Sequence, residues 1–133
     1  MSNLSLKKPK LIIVEPDQNL CKSYKRALKQ KFDIKFCFSA EETLEELAHK
    51  LPDLIVIEML LPLHNGIDIL YDLQSYSDSK DVPVVINSYL SKDDLSLSEE
   101  QFNQLSIYSY LYKPQTTPKK LLVELEKLNL VRA

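Results

Sequence analysis

Apolar residues along this chain gather into short runs that alternate with amphipathic stretches. Lys10 to Val14 (KLIIV) is apolar almost throughout and rich in β-branched residues, the mark of a strand covered on both faces. Asp17 stands where it can cap a following helix, and Leu20, Tyr24 and Leu28 recur at intervals of four to give that helix one apolar stripe. Phe32 to Phe38 reads as a second strand. Ser39 and Glu42 have the spacing of a capping box for a second helix, with Leu44 and Leu47 inward and Glu41, Glu42, Glu45 and Glu46 in water. Asp53 to Glu58 (DLIVIE) is a third strand, followed by a loop with Pro62 and Gly66 and a helix carrying Ile67, Leu70 and Leu73. Val82 to Asn87 (VPVVIN) is the fourth strand, with Pro83 tolerated near its start. A weaker helix is predicted over Ser98 to Leu105, a fifth strand over Ile107 to Tyr112, and a last helix over Thr117 to Leu128 with Leu121, Leu122, Leu125 and Leu128 inward.

Strand and helix therefore alternate five times. That order predicts a single α/β domain, doubly wound, with a parallel sheet between two helix layers and right-handed crossovers. The expected organisation is a lead-in over residues 1–9, the domain over 10–128 and a tail over 129–133.

Composition narrows the class. A length of 133 residues suits one compact domain, and 44% hydrophobic residues suffice for a core. Seventeen basic and nineteen acidic residues give a net charge of -2, which argues against nucleic acid as the main partner. Lys7, Lys8 and Lys10 read as a solvated lead-in. No apolar run reaches membrane-spanning length and no signal peptide is visible, so the expected location is the cytoplasm, without a membrane partner. Cys21 and Cys37 have neither metal-ligand nor redox spacing, and both read as buried, reduced thiols.

In sheets of this kind the functional crevice lies beyond the carboxyl ends of the strands. Those ends supply Glu15, Pro16 and Asp17, then Glu58, then Asn87 and Ser88, and finally Lys113 and Pro114. Three carboxylates, a hydroxyl and a lysine converge on one edge. Any one of them could be a polar residue where a strand meets water. Five together point to a site.

At these residues the chain resembles the response-regulator receiver family, over roughly residues 10 to 128. The matching stretches are LIIVEPD, PDLIVIEMLLPLHNG, VPVVINS and YLYKP. The resemblance implies a CheY-like, flavodoxin-like (βα)5 three-layer sandwich with sheet order 2-1-3-4-5, acting in two-component (phosphorelay) signalling. In the family an acidic pair after strand one holds Mg²⁺, and an aspartate ending strand three accepts a phosphoryl group. A Ser or Thr after strand four, and a lysine before a cis-proline, contact the phosphoryl oxygens. Carried over by position, Ser88 and Lys113 are the phosphoryl-contact equivalents, Pro114 completes the Lys-Pro pair, and Tyr110 is the switch aromatic. Gly66, the one glycine, ends the Pro62 to Gly66 turn with Asn65 before it.

The departures matter more. Glu58 stands at the acceptor position, and the acidic pocket reads Glu15, Pro16, Asp17, in which Pro16 offers no ligand and Asp17 is placed to cap a helix. Ser106 replaces the glycine expected before strand five, and the stretch from Ser88 to Tyr110 is longer than is usual in the family. A glutamate carries its carboxylate one methylene further out, a displacement that is costly where positioning must be sub-ångström. The expectation is a pseudo-receiver, not an enzyme, with no catalytic residue and no cofactor. If any metal binds, Glu15 and Glu58 would hold it, as Mg²⁺. Glu58 either supplies a permanent charge beside Lys113, partly imitating the phosphorylated state, or marks a site kept only for its fold.

Two other readings remain beside this one. The first is a conventional Mg²⁺-dependent phospho-accepting receiver with an atypical site. The second is a small flavodoxin-like enzyme or nucleotide binder, disfavoured because no glycine-rich phosphate loop follows strand one. His64, in a loop, is expected to be exposed, and no DNA-binding output domain is expected. The implied partner is a protein, such as a sensor kinase or another regulator. Tyr108, Tyr110 and Tyr112 alternate and so share one face of strand five. They are expected to pack most of their ring area under helices four and five, a surface that receivers commonly use for homodimers.

Overall fold

The computed structural model describes residues 7–130; the first six residues of the expected lead-in and the last three of the tail lie outside them. The elements run β1 (Lys10–Val14), α1 (Gln18–Leu28), β2 (Asp33–Cys37), α2 (Ala40–His49), β3 (Leu54–Ile57), α3 (Ile67–Gln74), β4 (Val84–Ser88), α4 (Glu99–Asn103), β5 (Ile107–Tyr112) and α5 (Pro118–Glu126), with short 3-10 turns at Lys92–Asp94 and Lys113–Gln115. The five strands form one parallel sheet in the order β2-β1-β3-β4-β5. The predicted architecture is the one found.

Successive residues of each central strand serve opposite helix layers. Ile12, Val14, Ile55, Ile57, Val84 and Ile86 pack with Leu47, Ile69, Leu70 and Leu73 of α2 and α3. Leu11, Ile13, Leu54, Val56 and Val85 pack with Tyr24, Leu28, Leu121 and Leu125 of α1 and α5. Burying one such side chain is worth about 1.5–3 kcal/mol, so these two layers hold the sheet. Local signals set the ends. Asp17 accepts from the N–H groups of Asn19 and Leu20 and starts α1. Ser39 caps α2 as predicted, but the Glu42 carboxylate reaches back to the Phe38 N–H instead of closing a box on Ser39. Pro83 lacks an N–H, so β4 begins one residue after it, while the Pro83 carbonyl still accepts from Ile55.

Four expectations need correction. The Ser98 capping box forms, but α4 is five residues long and none of them is buried; Leu105 turns into the core only after the helix has ended. Of the three tyrosines of β5, only Tyr110 and Tyr112 keep regular alternation; Tyr108 departs from it. The pairing slips between Val84 and Val85, which face Ile107 and Ser109, so Tyr108 has no partner and the alternation is reset. Tyr110 consequently turns into the core beside Phe102, with ring centroids 6.4 Å apart. Tyr108 and Tyr112 remain 45% and 41% exposed. Finally, the described residues contain no cis peptide, so the bond before Pro114 is trans.

Two positions show local backbone constraints. Ser106, at the position where a glycine was expected, adopts φ 55°, and its hydroxyl donates to the Lys80 carbonyl and accepts from Gln74. Gly66 has an ordinary φ of -70° but is needed for close packing: a Cβ there would meet Met59 Sδ at 2.8 Å and Ile57 Cγ2 at 2.9 Å. No helix among the described residues is long and apolar enough to cross a membrane.

Candidate functional site

The carboxyl edge of the sheet carries a buried polar cluster. Glu15 continues β1, Glu58 continues β3, Ser88 ends β4 and Lys113 follows β5; each is at least nine-tenths buried. Four strands that converge at one edge bring together residues up to 98 positions apart. Lys113 Nζ lies 2.5 Å from Glu15 Oε1 and 2.6 Å from Glu58 Oε1.

Every carboxylate oxygen of the pair has a donor. Glu15 Oε2 accepts from the Asp17 N–H at 3.0 Å. Glu58 Oε2 accepts from the Ser88 hydroxyl and from the Leu60 N–H, and Glu58 Oε1 also accepts from the Tyr89 N–H at 3.2 Å. Above them the Tyr89 ring covers the ammonium, with Nζ 4.6 Å from its centroid. The site is filled by its own side chains.

The electrostatics follow from two carboxylates sharing one cation. Burial raises the Glu15 pKa above its ordinary value; the Lys113 contact opposes this without cancelling it, and the charge of Glu58 adds to it. Burial acts to lower the Lys113 pKa, but the hydrogen bonds that Lys113 donates to Glu15 and Glu58 outweigh it and leave that pKa raised. The two upward shifts have different causes: burial dominates at Glu15, and the two carboxylates dominate at Lys113.

This arrangement does not fit a divalent cation. The oxygens that would ligate it are occupied by an ammonium and by N–H and O–H donors, and Pro16 supplies none. Asp17 is turned away and exposed at the helix cap. Among the described residues no group of three or more His, Cys, Asp and Glu side chains is placed to hold a metal.

A chain of hydrogen bonds runs from the cluster to β5. Ser88 Oγ, engaged by Glu58, accepts from the Leu90 N–H at 3.0 Å, and the Leu90 carbonyl accepts from the Tyr110 hydroxyl at 2.7 Å. Tyr110, whose phenol burial pushes up to about 12, is thereby held inward.

The sequence placed Glu15, Glu58, Ser88, Lys113 and Tyr110, and these come together; Pro16, Asp17 and Pro114 stay outside the cluster. It missed two tyrosines. Tyr89 covers the lysine, and its place directly after Ser88 was the available signal. Tyr24 was read only as part of an apolar stripe, yet its buried hydroxyl accepts from Asn87 Nδ2 at 2.9 Å behind the site. The thiols take no part: burial pushes Cys21 up to about 12 and Cys37 to about 11. His64 lies in a loop and is exposed, as expected.

A family model described as response regulator receiver domain matches residues 11–126. Among solved structures, a sensor protein from Polaromonas sp. JS666 has TM-score 0.78 at 22% identity, over 91% of this chain and 95% of that one. The BeF3-activated receiver domain of DrrB from Thermotoga maritima has TM-score 0.76 at 22% identity, over 92% and 98%. A CheY-like receiver domain from Methylobacillus flagellatus has TM-score 0.74 at 23% identity, over 92% and 99%. At such identities these likenesses establish the fold. No curated protein matches the chain.

Proposed function

The chain belongs to the response regulator receiver domain family, and from that premise we propose that it works without a phosphorylation cycle, as a protein-docking module whose acceptor position is permanently satisfied by Glu58. Receivers are signalling modules that bind sensor kinases or other proteins, and this one binds its partner in a single, engaged state. The observation that carries the reading is that Glu58 has no free oxygen: Lys113, Ser88 and two backbone N–H groups already occupy the carboxylate.

The same contacts give the mechanism. Glu58 draws in Ser88, Ser88 fixes Leu90, and the Leu90 carbonyl holds Tyr110 inward. The face of α4, β5 and α5 is thus set by a fixed carboxylate, where the family uses a transferred phosphoryl group. Its exposed apolar residues are Tyr108, Tyr112 and Val123. They suit a protein partner or a second copy of the chain.

The test is association measured without phosphodonor, by sedimentation for self-association and by pull-down for a sensor kinase or regulator. Binding should be present from the start and unaltered by a small phosphodonor with Mg²⁺. Glu58→Gln and Tyr112→Ala should both weaken it, the second by about 1–3 kcal/mol for an aromatic anchor. Association that arises only after phosphodonor treatment would overturn the reading.

A further inference from the structure

At the opposite end of the sheet, away from the acidic cluster, a groove of about 820 Å³ opens between α1 and β2. Lys7, Lys8 and Lys10 enter it from the start of the chain, Lys25 and Lys29 from the end of α1, and Lys50 from the end of α2. Asp33 is the one carboxylate among its lining residues, and Lys10 already pairs with it at 3.2 Å. Asp53 and Glu46 also act on Lys10 and Lys50 from beside the groove, and six lysines against these three carboxylates still leave a positive surplus in a chain whose net charge is -2. Lys7 and Lys8 are exposed, as a solvated lead-in would be, and Lys8 also donates to the Lys29 carbonyl at 2.9 Å at the groove wall.

The groove holds like charges against one another. The charge of the neighbouring Lys10 keeps the Lys50 pKa below its ordinary value. An incoming anion would relieve this repulsion. The lining is not purely cationic, since Ile34 and Phe36 of β2 reach it half-buried. β2 is also a terminal strand, the position at which an extended segment adds to a sheet.

We propose that this groove docks an acidic peptide segment of a partner protein, extended along β2, with carboxylates on the lysines and apolar side chains against Ile34 and Phe36. A nucleic acid or polyphosphate fits less well. Its phosphates would leave the apolar strip unused, Phe32 is buried and offers no ring for a base, and the groove contains no arginine for bidentate phosphate contacts.

The full chain can be titrated by fluorescence anisotropy against a short synthetic peptide alternating Glu and Val. An all-Glu peptide of the same length, inorganic polyphosphate and a single-stranded oligonucleotide serve as comparison probes. The Glu/Val peptide should bind best, and its affinity should fall by about tenfold in the Lys25→Glu, Lys50→Glu double variant. The neutral pair Lys25→Gln, Lys50→Gln should give a smaller loss in the same direction. Lys119→Glu with Lys120→Glu, the same charge change made on α5, should leave binding unchanged. The proposal is overturned if the peptide does not bind, if the α5 pair weakens it equally, or if the all-Glu peptide, polyphosphate or oligonucleotide binds as tightly.

Discussion

Lys113 and Glu58 form an ion pair of 2.6 Å in which neither side chain keeps more than 4% of its exposure. A pair so enclosed is costly to form, because both charges leave water, and still more costly to break, because the survivor stays buried alone. Lys113→Met should accordingly destabilise the chain by about 3–5 kcal/mol, the range for a buried charge left without its partner. Urea unfolding measures it. A loss below about 1 kcal/mol, the range of an exposed pair, would mean that the cluster opens to water in solution.

The protonation of Glu15 gives a second test. Its folded pKa lies above the ordinary 4.5, so just above that value the folded chain holds more protons than the unfolded one. Stability from this group is present below 4.5 and is lost as pH rises through the raised folded value. Lys113 has the same sign at the alkaline end: its contribution is full below 10.5 and is lost as pH rises through its own raised value. Glu15→Gln should remove the acid-side difference and reduce, without abolishing, the alkaline one, since Glu58 remains. Parent and variant with parallel stability curves across the acid window would contradict the assignment.

Tyr89 should act as a cover. Its ring shields the Lys113 ammonium from above, a contact worth about 0.5–2 kcal/mol. In Tyr89→Ala, Lys113 should acylate faster with a water-soluble amine reagent, read by peptide mass spectrometry, while Lys119 and Lys120 react as in the parent. Unchanged Lys113 labelling would show that the ring does not control access.

Ser106 holds a left-handed backbone with two side-chain hydrogen bonds. Ser106→Ala loses both bonds and keeps the unfavourable φ. Ser106→Gly loses the bonds and sheds the strain, so it should be more stable than the alanine variant by about 1 kcal/mol. Thermal unfolding of the two variants distinguishes them. An alanine variant at least as stable as the glycine one would remove backbone strain from the explanation.

Most of the fold was legible because central strands covered on both faces must be apolar throughout, as Leu54–Ile57 and Val84–Ser88 nearly are. The site was legible because the carboxyl ends of parallel strands must meet at one edge, so Glu15, Glu58, Ser88 and Lys113 had to be neighbours once the strands were assigned. Three features were hidden. The slip at Tyr108 leaves no mark in an alternating IYSYLY, since it depends on how β4 pairs. The length of α4 was overestimated because Ser98 and Gln101 signal where a helix starts but not where it ends. The basic groove joins lysines from separate elements, and only the winding of the chain makes them neighbours.

The central claim is that the acceptor carboxylate is already satisfied, and intact mass spectrometry after incubation with a small phosphodonor and Mg²⁺ tests it most directly. The parent chain and Glu58→Asp should both keep their mass, since Pro16 still withholds a ligand from the metal. The double variant Glu58→Asp, Pro16→Asp is the form that should accept a phosphoryl group. A stoichiometric gain of one phosphoryl group on Glu58 of the parent would contradict the account.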